Sequence, residues 1–158
     1  MTSPYEHLFV RKMQNCLDDL VNEGAAAGTE EPANVGEALA LMRVNEVPES
    51  KIHLTYCWIH PCTEPVQWVK EHQHDYDEIL IWHGNNPDDV DDLGAEIYLD
   101  IEGVRHTITT SGSVYLPAGI RHCPLGFVRV DRPFRFSALS LSPTYGSDEH
   151  KPTIAAVP

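Results

Sequence analysis

The sequence predicts an all-β chain folded as a jelly-roll barrel and preceded by an amphipathic N-terminal helix. From Lys51 onward the residues alternate with a period of two, Ile52, Leu54, Tyr56 and Trp58 being set against His53, Thr55 and Cys57. Short segments rich in Gly, Pro, Asn and Asp interrupt that alternation again and again. Ahead of it, apolar residues recur at spacings of three and four, which is the period of a helix.

Between residues 5 and 22, Leu8, Phe9, Met13, Cys16, Leu17, Leu20 and Val21 form an apolar stripe with Lys12, Gln14, Asn15 and Asp18 between them. The stripe predicts a helix capped at Gly24, then a loop through Pro32. A second helical piece, "NVGEALALM", is expected over 34–42. Strands are expected from residue 51 and over 66–73, 75–83, 95–102, 104–110, 113–117, 121–130 and 133–142. The connections "HPCTEP", "GNNPDDVDDLG", "EG", "SG", "PAG" and "VDRP" all contain turn residues. Short strands joined in this way close as a sandwich or barrel of jelly-roll type. The 158 residues suit one domain, with a helical arm over 1–48, a barrel over 50–142 and a tail over 143–158.

The formal charge of −13 disfavours phosphate backbones and anionic lipid surfaces, so neither nucleic acid nor membrane is an expected partner. The opening "MTSPYEHLFVRKMQ" lacks the basic-then-apolar order of a secretory signal, and a cytoplasmic location is expected. Cys16, Cys57, Cys62 and Cys123 show no CxxC spacing and are read as reduced packing residues. The acidic run Asp88–Asp92 lacks the ligand spacing of a calcium loop and is read as a solvated turn.

The chemistry is concentrated in "EHQHDYDEILIWHG", residues 71–84. On an unbroken strand His72, His74, Tyr76, Glu78, Leu80 and Trp82 share one face, and Leu80 and Trp82 mark it as the inside. Two imidazoles and a carboxylate in an apolar interior need a compensating partner. A divalent transition metal is such a partner, because neutral imidazole and carboxylate oxygen are its ordinary ligands. "GSVYLPAGIRHCPLG", residues 112–126, adds a strand, a turn and then His122 as the fourth ligand. Cys123 follows directly, and regular alternation turns it away from the face of His122.

Both stretches resemble the motifs of the cupin superfamily, H-x-H-x(3,4)-E-x(6)-G and G-x(5)-P-x-G-x-x-H-x(3)-N. His72, His74, Glu78 and Gly84 match the first, and Gly112, Pro117, Gly119 and His122 the second. Glu78 and Gly84 are separated by five residues, Gly112 and Pro117 by four, and Gly126 stands where asparagine is common. These departures alter turns and remove no ligand. The resemblance covers roughly residues 50–142 and implies a double-stranded β-helix holding one divalent metal by three histidines and one glutamate. Fe(II) is the first expectation, with Mn, Ni, Zn and Cu as alternatives.

Chemistry at the metal, acting on a small polar molecule, is the function expected from this resemblance. A non-heme Fe(II) dioxygenase stands first, a redox-neutral isomerase, cyclase or lyase second, and a non-catalytic ligand-binding barrel third. Glu78 is expected to serve catalysis as well as ligation, with Tyr76 as proton donor or substrate clamp. Arg121, and after it Arg129 or Arg135, are candidates to hold a substrate carboxylate. Tyr56, Trp58, Trp82, Tyr98, Phe134 and Phe136 are the candidate substrate-lining aromatics. A homodimer is the expected assembly, since cupin barrels often pair.

Overall fold

The structure is a computed structural model and describes residues 1–16 and 31–146. Nine strands are present among them: β1 (Leu39–Met42), β2 (His53–Ile59), β3 (Val66–Val69), β4 (Glu78–His83), β5 (Asp92–Ile101), β6 (Val104–Thr110), β7 (Gly112–Leu116), β8 (His122–Val130) and β9 (Phe134–Ser140). They form two antiparallel sheets, one of five strands in the order β1-β2-β9-β4-β7 and one of four in the order β3-β8-β5-β6. The chain crosses repeatedly between sheets, as the jelly roll requires.

The core lies between the sheets. Ile59, Ile97, Phe127 and Phe134 are fully buried, and Leu93, Leu99, Leu116 and Leu125 nearly so. Burial of each such side chain stabilises the fold by about 1.5–3 kcal/mol. Gly84, at the end of the first ligand motif, permits the close approach of β4 to β5, because a Cβ there would overlap the Asp92 carbonyl.

Three expectations are corrected. Among the described residues of the predicted N-terminal helix only a single 3-10 turn forms, Glu6–Leu8, and Leu8 and Phe9 are exposed. The segment then runs extended: Asn15 bridges Leu39, and the Cys16 amide donates to Ala38 O at 3.0 Å. Pairing with β1 satisfies backbone groups there, and it overrides the helical spacing of the apolar residues. Positions 17–22 of that prediction lie outside the described residues. The helix expected over 34–42 is also absent; Val35 bridges Ile59, and β1 pairs with β2.

On β2 the alternation is present with the faces reversed. His53, Thr55, Cys57 and Ile59 are buried, whereas Leu54, Tyr56 and Trp58 are partly exposed. A period of two fixes that two faces exist and leaves open which one the opposing sheet covers.

Candidate metal centre

The segment that carries the first ligands is not one strand. Strand β3 ends at Val69 and β4 starts at Glu78, so His72 and His74 lie in the connection that passes from one sheet to the other. The expectation of strands over 66–73 and 75–83 with a shared face is corrected accordingly. Convergence comes instead from pairing. His72 N donates to His122 O at 3.0 Å and His122 N to His72 O at 2.9 Å, which sets these two residues side by side.

The turn before His122 secures the next ligand. Gly119 has φ +84, a conformation that glycine adopts without strain, and its amide donates to His74 O at 2.8 Å. Glu78, the first residue of β4, is held between Leu116 on β7 and Ser140 on β9. The five-stranded sheet thus supplies the carboxylate, the four-stranded sheet supplies His122, and the crossover supplies the other two imidazoles.

His72, His74, Glu78 and His122 are all buried, and one ligand atom from each lies within 4.8 Å of the others. His72 Nε2 is 3.1 Å from His74 Nε2. Glu78 Oε2 is 3.0 Å from His74 Nε2 and 3.2 Å from His122 Nε2. Each imidazole is oriented through its other nitrogen: His72 Nδ1 donates to Lys70 O at 2.7 Å, His74 Nδ1 to Gly146 O at 2.5 Å and His122 Nδ1 to Ile120 O at 3.0 Å. A carbonyl oxygen can only accept, so these contacts place the protons on Nδ1 and the lone pairs of the three Nε2 atoms at the centre.

Acceptors facing one another at such distances repel unless a cation or proton lies between them. His122 Nε2 and Glu78 Oε2 are buried with no well-formed hydrogen bond. Burial, helped by neighbouring His122, pushes His72 down to about 4, so a proton is a poor bridge at neutral pH. Burial opposes ionisation of Glu78, so a carboxylate there needs positive charge beside it. Three neutral nitrogen donors and one carboxylate fit a divalent transition metal. Anchoring each Nδ1 on a backbone carbonyl is how metal-binding imidazoles are ordinarily oriented.

A cavity of about 340 Å³ opens beside this group. His72, Glu78 and His122 border it, and most of the remaining wall is apolar, including Val69, Trp68, Leu80, Leu125 and Phe136. Of the aromatic residues expected to line a substrate site, Tyr56 and Phe136 border the cavity. The other four lie elsewhere. Phe134 is core, packed on Phe127 with ring centroids 6.3 Å apart. Trp82 is buried and donates to Thr110 O at 2.9 Å. Trp58 lies under Arg135 on the outer face of β2, and Tyr98 under Arg105 on the outer face of β5.

Tyr76 stacks on His74 at 4.8 Å, and its hydroxyl donates to Gly146 O at 2.9 Å and accepts from Gly146 N at 3.1 Å. Arg121 is not among the residues that border the cavity, and it pairs with Glu71 at 2.9 Å. Arg129 pairs with Glu96 and Asp131 at the surface.

Cys123 departs from its expected orientation. Its φ of +70 breaks the alternation of β8, so that His122 and Cys123 are both buried and both border the cavity. Trp68 and Tyr145 are wall residues that the sequence reading missed. The apolar alternation Val66, Trp68 could have pointed to the first; nothing local signalled the second, which comes from the segment after β9.

No family model matches the chain, and no curated protein matches it. Solved structures do. Oxalate oxidase in complex with the substrate analogue glycolate is 14% identical, with 90% of this chain and 63% of that chain covered at a TM-score of 0.53. A Cupin 2 conserved barrel domain protein from Salinispora arenicola is 23% identical over 70% of this chain and 78% of its own, at a TM-score of 0.46. KdgF from a Halomonas species is 9% identical, with 84% and 90% covered, also at 0.46. The likeness is one of fold, and it agrees with the two sheets and with the motif residues gathered between them. The chain shares its fold, two antiparallel sheets closed on each other, with oxalate oxidase.

Proposed function

We propose that the chain is a metal-dependent enzyme whose centre is formed by His72, His74, Glu78 and His122 and whose substrate is a small molecule bound in the adjoining cavity. The observation that carries this reading is the junction of the two features: three of the four converging residues also border a space of about 340 Å³. A purely structural metal site is closed on all sides, whereas a catalytic one adjoins a space for substrate.

A divalent ion held there supplies Lewis acidity and, as iron(II), electrons for dioxygen. The chain's own residues do the rest. Glu78 contributes the one formal negative charge among the four ligands, leaving the ion electrophilic. The backbone carbonyls of Lys70, Ile120 and Gly146 keep each Nε2 lone pair aimed inward. The apolar wall around Leu80, Leu125 and Phe136 excludes water and strengthens electrostatic interactions inside. Burial pushes the Cys57 thiol up to about 12, so it acts as a neutral wall group.

Within this class an iron(II) dioxygenase is the preferred reading. Oxalate oxidase, which has a similar fold, is by name an oxidative enzyme, and this supports oxidative chemistry as compatible with the architecture. The test is an oxygen-electrode screen of catechols, β-diketones, thiols and hydroxy acids with protein loaded anaerobically with Fe(II) or Zn(II). The Fe(II) form is expected to consume dioxygen with its substrate, the Zn(II) form not, and Glu78→Ala to abolish turnover. Conversion at equal rates with and without oxygen would replace the dioxygenase by an isomerase, cyclase or lyase. Absence of conversion across the screen would favour a binding barrel.

A further inference from the structure

The cavity beside the candidate metal group has walls from both sheets, and strand pairing orders the residues on them. Across β2, β9 and β4, Thr55, Ala138 and Leu80 stand side by side, as do Cys57, Phe136 and Trp82. Directly opposed residues of antiparallel strands point to the same face of the sheet. Moving away from Glu78, the five-stranded sheet therefore presents first Thr55, Ala138 and Leu80, then Cys57 and Phe136, and all five border the cavity. At the ordinary rise of a strand the Phe136 row stands about 13 Å from the Glu78 row. The four-stranded sheet closes the other side with Val69 and Leu125, paired across β3 and β8, and with Trp68. The Trp68 ring meets Phe136 edge-on at 5.1 Å and stacks on Phe127 at 5.9 Å, which holds the aromatic part of the wall in place.

The size and charge of an occupant follow from these walls. Interiors are ordinarily close-packed, and here the small side chains of Ala138 and Thr55 leave room directly beside the Glu78 row. The volume of about 340 Å³ is roughly twice the ~150 Å³ of an apolar cavity that takes one benzene. No lysine or arginine borders the cavity among the described residues, whereas Glu31 and Glu37 do. Arg121 and Arg129, the expected holders of a substrate carboxylate, pair with Glu71 and Glu96 instead. An anionic group on the body of a substrate would find no cation on this wall and would lose its hydration.

We propose that the cavity selects an apolar-bodied substrate: an uncharged body about the size of two fused rings, lodged between Ala138 and Leu80 on one sheet and Val69 and Leu125 on the other, with oxygen atoms at one end toward the metal group. The oxygen-bearing end rests on the metal-dependent reading above, whereas the apolar body does not. Ala138 is then a specificity-determining residue, because its small side chain keeps the space beside the Glu78 row open.

The test titrates three hydroxamic acids with one head and growing bodies, aceto-, benzo- and 2-naphthohydroxamic acid, calorimetrically into the full chain loaded with Zn(II). Affinity is expected to rise about tenfold or more at each step, as burial of added apolar surface requires. A carboxylate on the far ring, in 6-carboxy-2-naphthohydroxamic acid, should weaken binding about tenfold or more relative to the uncharged naphthyl compound. Ala138→Phe, which fills the space, should lower the naphtho-to-aceto affinity ratio about tenfold or more with zinc content retained. Flat affinities or no binding across the series, equal binding of the carboxylated compound, or an undiminished ratio in the variant overturns the proposal. If the variant does not fold, as judged by circular dichroism, the series in the unaltered protein decides alone. Failure of the metal reading looks different: the chain takes up no zinc, yet 2-naphthol binds more tightly than phenol. A zinc-free chain that does not prefer 2-naphthol overturns this proposal as well.

Discussion

The carbonyl oxygen of Gly146 accepts a hydrogen bond from His74 Nδ1 at 2.5 Å, across 72 positions of sequence. The same oxygen accepts the Tyr76 hydroxyl at 2.9 Å, and the Gly146 amide donates back to that hydroxyl at 3.1 Å. Tyr76 thus pins the segment that orients His74, a member of the candidate metal group.

Tyr76→Phe should weaken metal binding by roughly tenfold to a hundredfold, the usual effect of losing an outer hydrogen bond to a ligand. The variant removes both contacts to Gly146 while preserving the ring stacked on His74. Competition against a chromophoric chelator measures the change. An unaltered affinity would return Tyr76 to the role of proton donor.

Replacing His72, His74 or His122 with Ala should bring bound metal well below one equivalent per chain and leave the barrel folded. The ligands meet between two sheets whose core is built from other residues, such as Ile97, Phe127 and Phe134. Metal analysis alongside far-ultraviolet circular dichroism separates these outcomes. Full occupancy in two of the three variants would refute the ligand set.

Acid should destabilise the metal-free protein, beginning near neutrality. In the folded chain His72 stays neutral down to about 4, against an ordinary value of 6.5. Between these limits the unfolded chain binds more protons, so stability falls as pH falls from 6.5 towards 4. The full effect is on the order of 3 kcal/mol. Urea unfolding of chelator-treated protein at several pH values tests the sign, and His72→Asn should flatten the dependence between pH 6.5 and 4.

The aromatic residues should divide by location. Phe134→Ala removes a fully buried side chain packed on Phe127 and should cost about 3–5 kcal/mol of stability with metal content retained. Phe136→Ala, on the cavity wall, should alter ligand affinity more than Trp58→Ala, whose ring lies on the outer face. Denaturant midpoints and ligand titrations distinguish these effects. Equal effects of Phe136→Ala and Trp58→Ala on ligand affinity would contradict the observed placement.

The four residues of the candidate metal group were legible in the sequence because ligand chemistry is a property of residue types. A cluster of two imidazoles and a carboxylate within seven positions, flanked by Leu80 and Trp82, implies a buried site whatever the local backbone does. His72, His74 and Glu78 do not share one strand, since the crossover between β3 and β4 interrupts it. The ligands still converge because His72 pairs with His122 and Gly119 anchors His74 O.

By itself the sequence determined that the chain is mostly strand, where most of its turns fall, and which four side chains would come together as a group able to hold a metal. Local alternation, turn chemistry and ligand type are properties of neighbouring residues, so no long-range contact is needed to read them. Tertiary structure alone decided that Asn15 and Leu39 would pair and not form helices, that Thr55 and Cys57 and not Tyr56 and Trp58 would face the core, and that Cys123 would turn inward beside His122. It also brought Glu31, Trp68 and Tyr145 to one cavity from three distant parts of the chain. Which face of a strand is buried, and whether an amphipathic segment coils or extends, depends on what packs against it and on where its backbone amides find acceptors. Those partners are fixed only when the two sheets close on each other.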